Sequence, residues 1–207
     1  MNNNGILLFG GTFDPIHHGH LIIARAAAEQ LQVEKVILIP SAQPPHKTNA
    51  AVSTTKDRLR MTQLAVAGDT LFEVSDCELQ RRGPSYTLET VRYFRGLYGA
   101  EIQLYWLIGA DSVGELLSWY RIEQLVDECI IVTASRPDYH LDQFSALQPA
   151  LKEKQIKRIK KHILNTPMID ISATEIRRRA GQNLSIYYLT TPKVANYIIN
   201  RRLYKNE

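Results

Sequence analysis

The junction between a strand-like run and a helical stretch near residue 10 most restricts the fold of this chain. Residues 6–9 are a short apolar run that stops at Gly10 and Gly11, and residues 21–31 are alanine-rich with helical spacing of apolar side chains. A His-x-Gly-His sequence, from His17 to His20, lies just before the helical stretch. This order of features predicts a strand, a tight turn and a helix.

The same alternation continues along the chain. The predicted strands are residues 6–9, 35–39, 72–79, 103–108, 129–133 and 168–171, and the predicted helices are residues 21–31, 56–67, 87–98, 122–127 and 192–202. Short strands separated by helices predict an α/β fold with a doubly wound, mainly parallel, Rossmann-like sheet and a small helical part towards residue 202. Ligands of such sheets bind at the carboxyl ends of the strands, so we expect the site where the loops after residues 9, 39, 108 and 171 converge.

Length and composition indicate an ordinary globular protein. The chain has 207 residues, of which 44% are hydrophobic and 22% charged, which suits one domain over residues 1–207. No stretch reads as a membrane span or a secretory signal, so the cytoplasm is the expected location and no membrane partner is expected. Cys77 and Cys129 have no metal-like spacing and lie in or beside apolar runs, which predicts buried or half-buried free thiols.

The formal charge of +4 is compatible with nucleic acid or with small anionic substrates. Much of the excess comes from one helical stretch, residues 152–161, which has Ile156, Ile159 and Ile163 on its other face. A solvated face of an amphipathic helix explains this pattern better than a nucleic-acid surface does.

The glycines and histidines of the first turn favour a phosphate-binding site. Glycine lets the backbone approach a phosphate closely and can take a positive φ if the turn needs one, while a helix start directs N–H groups at an anion. His17 and His20, three residues apart, lie on one helix face and can donate N–H bonds to phosphoryl oxygens as charge accumulates there. A lone surface histidine is usually solvated or caps a helix, but here two histidines at the required spacing share one segment with the glycines. We expect the third histidine, His18, to have no role in the site. The dinucleotide and Walker glycine motifs do not occur.

A second anion site is predicted at residues 172–177. Ser172 and Glu175 have the spacing of a capping box, which would by itself explain both residues. A cap does not explain why hydroxyls at the helix start are followed one turn later by arginine, so we interpret Ser172, Thr174 and Arg177 as phosphate ligands.

Three other segments carry candidate ligands. Asp111 follows Gly109 at a strand end, where a carboxylate suits a ribose hydroxyl, although it could simply cap a helix. Pro-Pro-His-Lys at residues 44–47 presents two cationic side chains, and Pro-Ser-Tyr-Thr at residues 84–87 delivers hydroxyls to a helix start. Trp119 and Tyr120 place two aromatic rings just beyond Asp111, and the tryptophan could equally belong to the core.

With these motifs in their order, the chain closely resembles the bacterial nicotinate-mononucleotide adenylyltransferases of the nucleotidyltransferase superfamily. The shared segments are Gly-Gly-Thr-Phe-Asp-Pro-x-His-x-Gly-His, Pro-Pro-His-Lys, Pro-Ser-Tyr-Thr, Gly-Ala-Asp-Ser, Trp-Tyr and Ile-Ser-Ala-Thr-Glu-Ile-Arg. One departure is Asp138, where the family often has glycine; it weakens any role for Arg136.

The resemblance implies that the 5′-phosphate of nicotinate mononucleotide attacks the α-phosphorus of ATP, giving deamido-NAD and pyrophosphate, with Mg²⁺ held by the substrate phosphates and by no protein ligand. It implies catalytic roles for His17, His20 and Arg177, ATP binding by Gly10, Gly11, Thr12, Phe13, Gly109, Asp111, Ser172 and Thr174, and nicotinate mononucleotide binding by Lys47, Tyr86, Thr87, Trp119 and Tyr120.

Three rival functions fit part of the sequence. Another nucleotidyltransferase, with a pantetheine-phosphate, FMN or cytidylyl reaction, would share the phosphate motifs, but Pro-Ser-Tyr-Thr and Trp-Tyr argue against it. A nucleic-acid-binding protein would show salt-sensitive binding without turnover. A class I aminoacyl-tRNA synthetase domain should also carry a Lys-Met-Ser-Lys-Ser-like loop, which does not occur. The oligomeric state, a homo-oligomer included, stays open.

Overall fold

The computed structural model describes residues 4–42, 53–135, 144 and 147–205. Its strands are β1 (Gly5–Gly11), β2 (Val36–Pro40), β3 (Phe72–Val74), β4 (Gln103–Gly109), β5 (Ile130–Ser135) and β6 (Ile163–Asn165). Its helices are α1 (His18–Leu31), α2 (Thr55–Val66), α3 (Cys77–Gln80), α4 (Thr87–Tyr98), α5 (Ile122–Glu128), α6 (Glu153–Lys161), α7 (Ala173–Gly181) and α8 (Pro192–Arg201). Two 3₁₀ turns, Ala110–Ser112 and Leu116–Ser118, follow β4.

The strands form one sheet in the order β3-β2-β1-β4-β5-β6, and every pair is parallel. The chain winds outward from β1 through β2 to β3 and then restarts at β4 on the other side of β1. The point where the direction reverses therefore lies between β1 and β4, which is where ligands of doubly wound sheets bind. The predicted fold class is confirmed, whereas the single-domain reading stays a prediction.

Each face of the sheet is covered by its own helices. Helices α4, α5 and α6 bury apolar side chains such as Leu88 and Leu125 against one face. Helices α1, α2, α7 and α8 bury side chains such as Ala24, Met61 and Ile176 against the other. Because both faces are covered, the central strands are apolar on both sides, as in the fully buried strand Val36–Pro40.

Two predicted strands are wrong in part or in whole. Residues 72–79 form a strand only as far as Val74, because the carbonyl of Asp76 then accepts the N–H groups of Leu79 and Gln80 and starts α3. Residues 168–171 are not a strand, since the free edge of β5 pairs instead with β6, and Met168 is 61% exposed.

The basic stretch of residues 152–161 forms α6, whose lysines are exposed and whose Ile156 and Ile159 are buried. Ile163, expected on the same helix face, belongs to β6. Cys129 is buried and Cys77 half-buried, both as free thiols, as predicted. Among the described helices, none is long and apolar enough to cross a membrane.

Candidate active site

The turn after β1 is shaped by aromatic rings packed against its two glycines. A Cβ added to Gly10 would lie 2.6 Å from Cζ2 of Trp106, and one added to Gly11 would lie 2.7 Å from Cε1 of Phe13. Neither glycine takes a positive φ; Phe13 does, at 49°. The glycines are therefore needed here for space beneath the rings, and the left-handed turn is made by the phenylalanine.

His17 and His20 meet at the start of α1. Their rings stack with centroids 3.7 Å apart, and the backbone N–H of His17 donates to Nδ1 of His20 at 3.3 Å. Because Nδ1 of His20 accepts that bond, a neutral His20 carries its proton on Nε2. The rings of Phe9 and Phe13 contact His20 edge-on and fix its orientation.

His17 is held as a neutral imidazole. It is 6% exposed, and burial, helped by the charge of His18, lowers its pKa to about 4. Its Nδ1 is buried with no hydrogen-bond partner in the described part of the chain and lies over Gly19, where an added Cβ would be 3.1 Å away. The glycine of His-x-Gly-His thus makes room for the first histidine, which can serve as an uncharged N–H donor.

Arg177 joins the second predicted anion site to this turn. Its Nη1 donates to the carbonyl of Asp14 at 2.8 Å and its Nη2 to Oγ1 of Thr174 at 3.2 Å. Ser172 caps α7 by accepting from the N–H of Glu175, and both Ser172 and Thr174 are exposed. The capping bond and the exposed hydroxyl groups therefore coexist at the start of α7, and the bond from Arg177 to Asp14 holds this helix against the turn that leads into α1.

The turn between β1 and α1 is braced by three residues from two distant segments, one at the start of α2 and one after α8. Asp14, which is 3% exposed, accepts from the hydroxyl of Tyr204 at 2.6 Å and from both the N–H and the hydroxyl of Ser53. Arg58 is fully buried, and its Nη1 donates to the carbonyl of Thr12 at 2.7 Å. Burial lowers the pKa of this guanidinium, an effect that the nearby Asp14 opposes.

On the other face of the sheet, two tyrosines stack beside the start of α4. The rings of Tyr86 and Tyr120 have centroids 4.3 Å apart, and the Arg121 guanidinium lies over the Tyr120 ring at 5.2 Å. Thr87 is the first residue of α4, so its N–H is one of the donors at that helix start that have no partner within the helix. Ser85 accepts from the N–H of Ala42 and so connects this segment to the end of β2.

A buried glutamate supports the same segment from below. Glu78 of α3 is 4% exposed and accepts from the hydroxyl of Thr90 at 2.7 Å. Burial raises its pKa, while bonds from Thr90 and Ser85 and the charge of Arg81 act in the opposite direction. This carboxyl group ties α3 to the first turn of α4 and to the segment before it.

Gly109 and Asp111 lie at the carboxyl end of β4, beside the reversal point of the sheet. The carboxylate of Asp111 occupies the space that a Cβ on Gly109 would need, and Asp111 itself is exposed. Trp119 is half-buried and packs against the core on the α4–α5 side. The ring therefore has both a core face and an exposed part.

Comparisons with known proteins agree with this arrangement. Residues 8–179 match the family model described as cytidylyltransferase-like. A probable nicotinate-nucleotide adenylyltransferase of Moorella thermoacetica is 43% identical over 198 residues, which are 96% of this chain and 90% of that protein. One of Neisseria meningitidis is 43% identical over 199 residues, 96% of this chain and 97% of that protein. The chain belongs to the nicotinate-nucleotide adenylyltransferase family.

Solved structures extend the agreement to the fold. Nicotinic acid mononucleotide adenylyltransferase of Plasmodium falciparum, in complex with NaAD, has a TM-score of 0.71 at 20% identity, and the match covers 97% of each chain. A putative nicotinate-nucleotide adenylyltransferase from Vibrio parahaemolyticus gives 0.68 at 17% identity, with 95% and 99% coverage. These structures support the predicted fold, and the relatives at 43% identity confirm the predicted family and enzyme class.

The predicted site residues fall into three groups. The phosphate residues of α1 and α7 are brought together by the bond from Arg177 to Asp14, and Tyr86, Thr87 and Tyr120 are brought together on the other face. Lys47, with the rest of residues 44–47, and Arg136 lie outside the described residues. Sequence reasoning missed the bracing group of Asp14, Arg58, Ser53 and Tyr204; the only signal was that Asp14 belongs to the Gly-Gly-Thr-Phe-Asp-Pro segment.

Proposed function

We propose that this member of the adenylyltransferase family transfers the adenylyl group of ATP to nicotinate mononucleotide, forming deamido-NAD and pyrophosphate. The observation that carries the proposal is the hydrogen bond from Arg177 to the carbonyl of Asp14, which sets a cationic donor beside His17 and His20. The bond holds a guanidinium of α7 against the turn that leads into α1, and helix starts and guanidinium groups are both common phosphate ligands. The names of the relatives at 43% identity support the choice of acceptor.

The reaction needs positioned donors rather than a protein nucleophile. An oxygen of the acceptor 5′-phosphate forms a bond to the α-phosphorus of ATP, while the bond from that phosphorus to the bridging oxygen breaks and pyrophosphate leaves. Charge grows on the oxygens around the reacting phosphorus and on the leaving group. The N–H groups of His17 and His20 and the guanidinium of Arg177 stabilise this charge, and because they are fixed beforehand they need little rearrangement.

The donor set of the site fits a magnesium ion that is carried by the substrate. His17, His20, Ser172, Thr174 and Arg177 offer N–H and O–H groups, which bind phosphoryl oxygens, whereas Mg²⁺ prefers phosphate, carboxylate and water oxygens. When bound to the phosphates, Mg²⁺ supplies charge neutralisation on the leaving group. The residues of the site would then bind the phosphates, and the phosphates would bind the magnesium ion.

The two nucleotides would occupy opposite sides of the reversal point. We assign ATP binding to Gly10, Gly11, Thr12, Phe13, Gly109, Asp111, Ser172 and Thr174, and acceptor binding to Lys47, Tyr86, Thr87, Trp119 and Tyr120. The N–H groups at the start of α4, which have no partner within the helix, and the positive end of the helix dipole suit the nicotinate carboxylate. A neutral carboxamide would gain less from that position, so we expect a preference for the acid.

Product analysis with two acceptors tests this function. The purified protein is incubated with ATP and Mg²⁺ and either nicotinate or nicotinamide mononucleotide, and dinucleotide and pyrophosphate are followed by chromatography, with His20→Ala as the control for a contaminating enzyme. Turnover with the acid alone supports both the reaction and the acceptor. Equal turnover with both acceptors contradicts the preference, and absence of dinucleotide contradicts the function. A cytoplasmic location and the lack of a nucleic-acid partner stay expectations, and the oligomeric state stays open.

A further inference from the structure

We propose that Tyr204 is a positioning residue for catalysis, because its hydroxyl sets the turn between β1 and α1 and, through Asp14, the guanidinium of Arg177. The proposal rests on the proposed function for its kinetic consequences. Its structural part, the control of this turn by a residue 190 positions away along the chain, stands on the hydrogen bonds alone.

The first link is the bond to a buried carboxylate. The hydroxyl of Tyr204 donates to Oδ1 of Asp14 at 2.6 Å, and Ser53 donates to both carboxylate oxygens. A carboxylate that is 3% exposed depends on such donors, because its charge loses most of its hydration. Burial and the charge of Asp14 also raise the pKa of the Tyr204 hydroxyl, so it remains a donor.

The second link is the backbone of the same aspartate. The carbonyl of Asp14 accepts from Nη1 of Arg177 at 2.8 Å, and Nη2 of Arg177 bonds to Thr174. The side chain of Asp14 therefore fixes the residue whose carbonyl orients the arginine. His17, three residues further on, follows the same turn into α1.

The third link is the packing of Tyr204 against α7, the helix that carries Arg177. Arg202 ends α8 with a φ of 52°, and the N–H of Leu203 bonds back to the carbonyl of Ile198 at 3.0 Å. Tyr204 itself has a φ of 66°, a conformation that a tyrosine keeps only where surrounding contacts impose it. A Cβ on Gly181, the last residue of α7, would lie 2.8 Å from the Tyr204 carbonyl, so the main chains are in close contact.

Tyr204→Phe removes the donor and keeps the ring. We expect kcat to fall about 10-fold, because a small displacement of the turn misplaces donors that act in the transition state, while KM for ATP changes by less than about threefold. Tyr197→Phe is the matched control. Tyr197 lies on α8 and donates at 2.8 Å to a carboxylate, that of Asp57, which does not hold the turn.

A double-variant cycle separates positioning from stability. If Tyr204 acts through Arg177, Tyr204→Phe should lower kcat much less in an Arg177→Ala background than in the wild type. Ser53→Ala removes another donor to the same carboxylate and should lower kcat in the same direction, which provides a second variant if Tyr204→Phe does not fold. Equal kcat for Tyr204→Phe and Tyr197→Phe, or independent effects in the cycle, overturns the catalytic part.

Hydrogen–deuterium exchange of residues 12–18 gives a readout that needs no turnover. We expect Tyr204→Phe to speed exchange in this turn at least about fivefold relative to Tyr197→Phe, since local opening follows the loss of its bracing bonds. If the wild-type protein makes no dinucleotide, the proposed function fails while the exchange still decides whether Tyr204 controls the turn. Unchanged exchange in Tyr204→Phe overturns that control.

Discussion

The imidazole rings of His17 and His20 stack with their centroids 3.7 Å apart and their planes 25° from parallel. Two charged imidazoles at this distance would repel each other, and burial already disfavours a charge on His17, whose pKa is lowered to about 4. The pair therefore offers donors to a phosphate with at most one positive charge. A permanent positive charge is brought to this phosphate site by Arg177, which comes from another helix.

This burial predicts a pH-dependent loss of stability. The folded pKa of His17, about 4, lies below the unfolded value of 6.5, so the unfolded state binds the proton more readily between these values. The contribution of His17 is complete above pH 6.5 and is lost as the pH falls towards 4, on the order of 3 kcal/mol. Denaturant unfolding of wild type and His17→Gln at pH 8, 6 and 4.5 measures it.

On acidification, the free energy of unfolding should fall less in His17→Gln than in the wild type, because glutamine does not titrate. The pH 8 measurement is the internal control, since it contains only the packing cost of the substitution. Parallel pH curves for the two proteins would contradict a buried neutral His17.

His20→Ala should lower kcat by about 100-fold or more with the fold retained, because one preorganised donor to the transition state is lost. Steady-state rates of dinucleotide formation measure the effect. His18→Ala is the matched control, since His18 lies between the two and contributes its backbone N–H, not its ring, to a bond with Leu189. A folded His20→Ala enzyme with wild-type kcat would contradict the catalytic role assigned to His20.

Arg177→Lys should also lower kcat by about 100-fold, because a lysine cannot bond at once to the Asp14 carbonyl and Thr174 and still present a fork to phosphate. Arg178→Lys is its control on the neighbouring position. Arg178 pairs with Glu175 on the surface, where ion pairs contribute little, and kcat should stay within about twofold. Similar losses in the two variants would point to general charge rather than to the Arg177 geometry.

Trp119→Ala should raise KM for the mononucleotide at least about 10-fold and KM for ATP far less, since base–aromatic contacts are typically worth 1–3 kcal/mol. Saturation curves for each substrate provide the comparison. Tyr93→Ala, which removes a 47% exposed ring from α4, is the aromatic control. Equal effects of Trp119→Ala on both KM values, with a lower melting temperature, would assign the ring to the core.

Gly10→Ala should destabilise the protein by about 1–3 kcal/mol, because the added methyl group overlaps the buried ring of Trp106. Gly96→Ala tests the opposite case: Gly96 lies inside α4 with nothing near its Cβ position, and alanine should stabilise by about 0.5–1 kcal/mol. Denaturant unfolding of both variants measures whether the free energy of unfolding falls in Gly10→Ala and rises in Gly96→Ala. A neutral Gly10→Ala would show that the ring has room to move.

Features whose cause is local could be predicted from the sequence alone. Helix α4 occupies Thr87–Tyr98, as predicted, because its apolar spacing is strong and Gly99 ends it. The caps at Thr54, Ser172 and Thr191 each accept the backbone N–H three residues on. These bonds form within one turn of helix, so residue spacing is enough to predict them.

The alternation of strands and helices likewise sufficed to predict the fold class. The family was predicted from all the shared segments in their order, with Pro-Ser-Tyr-Thr and Trp-Tyr separating it from other nucleotidyltransferases. Strand pairing was harder to predict. Residues 163–165, of which Ile163 was expected to continue a helix, pair with β5 instead, whereas the strand predicted at residues 168–171 does not form.

The tertiary structure alone decided what holds the site in place. Asp14 meets Tyr204 and Arg177 across 190 and 163 positions, and the side chain of Arg58 reaches the carbonyl of Thr12 across 46. Gly10 is small because Trp106, on the neighbouring strand β4, lies over it. Residue spacing predicts contacts only between neighbours along the chain. The contacts named here join distant residues, and they form because folding buries a charge or a ring that must then find its partners in the surrounding structure.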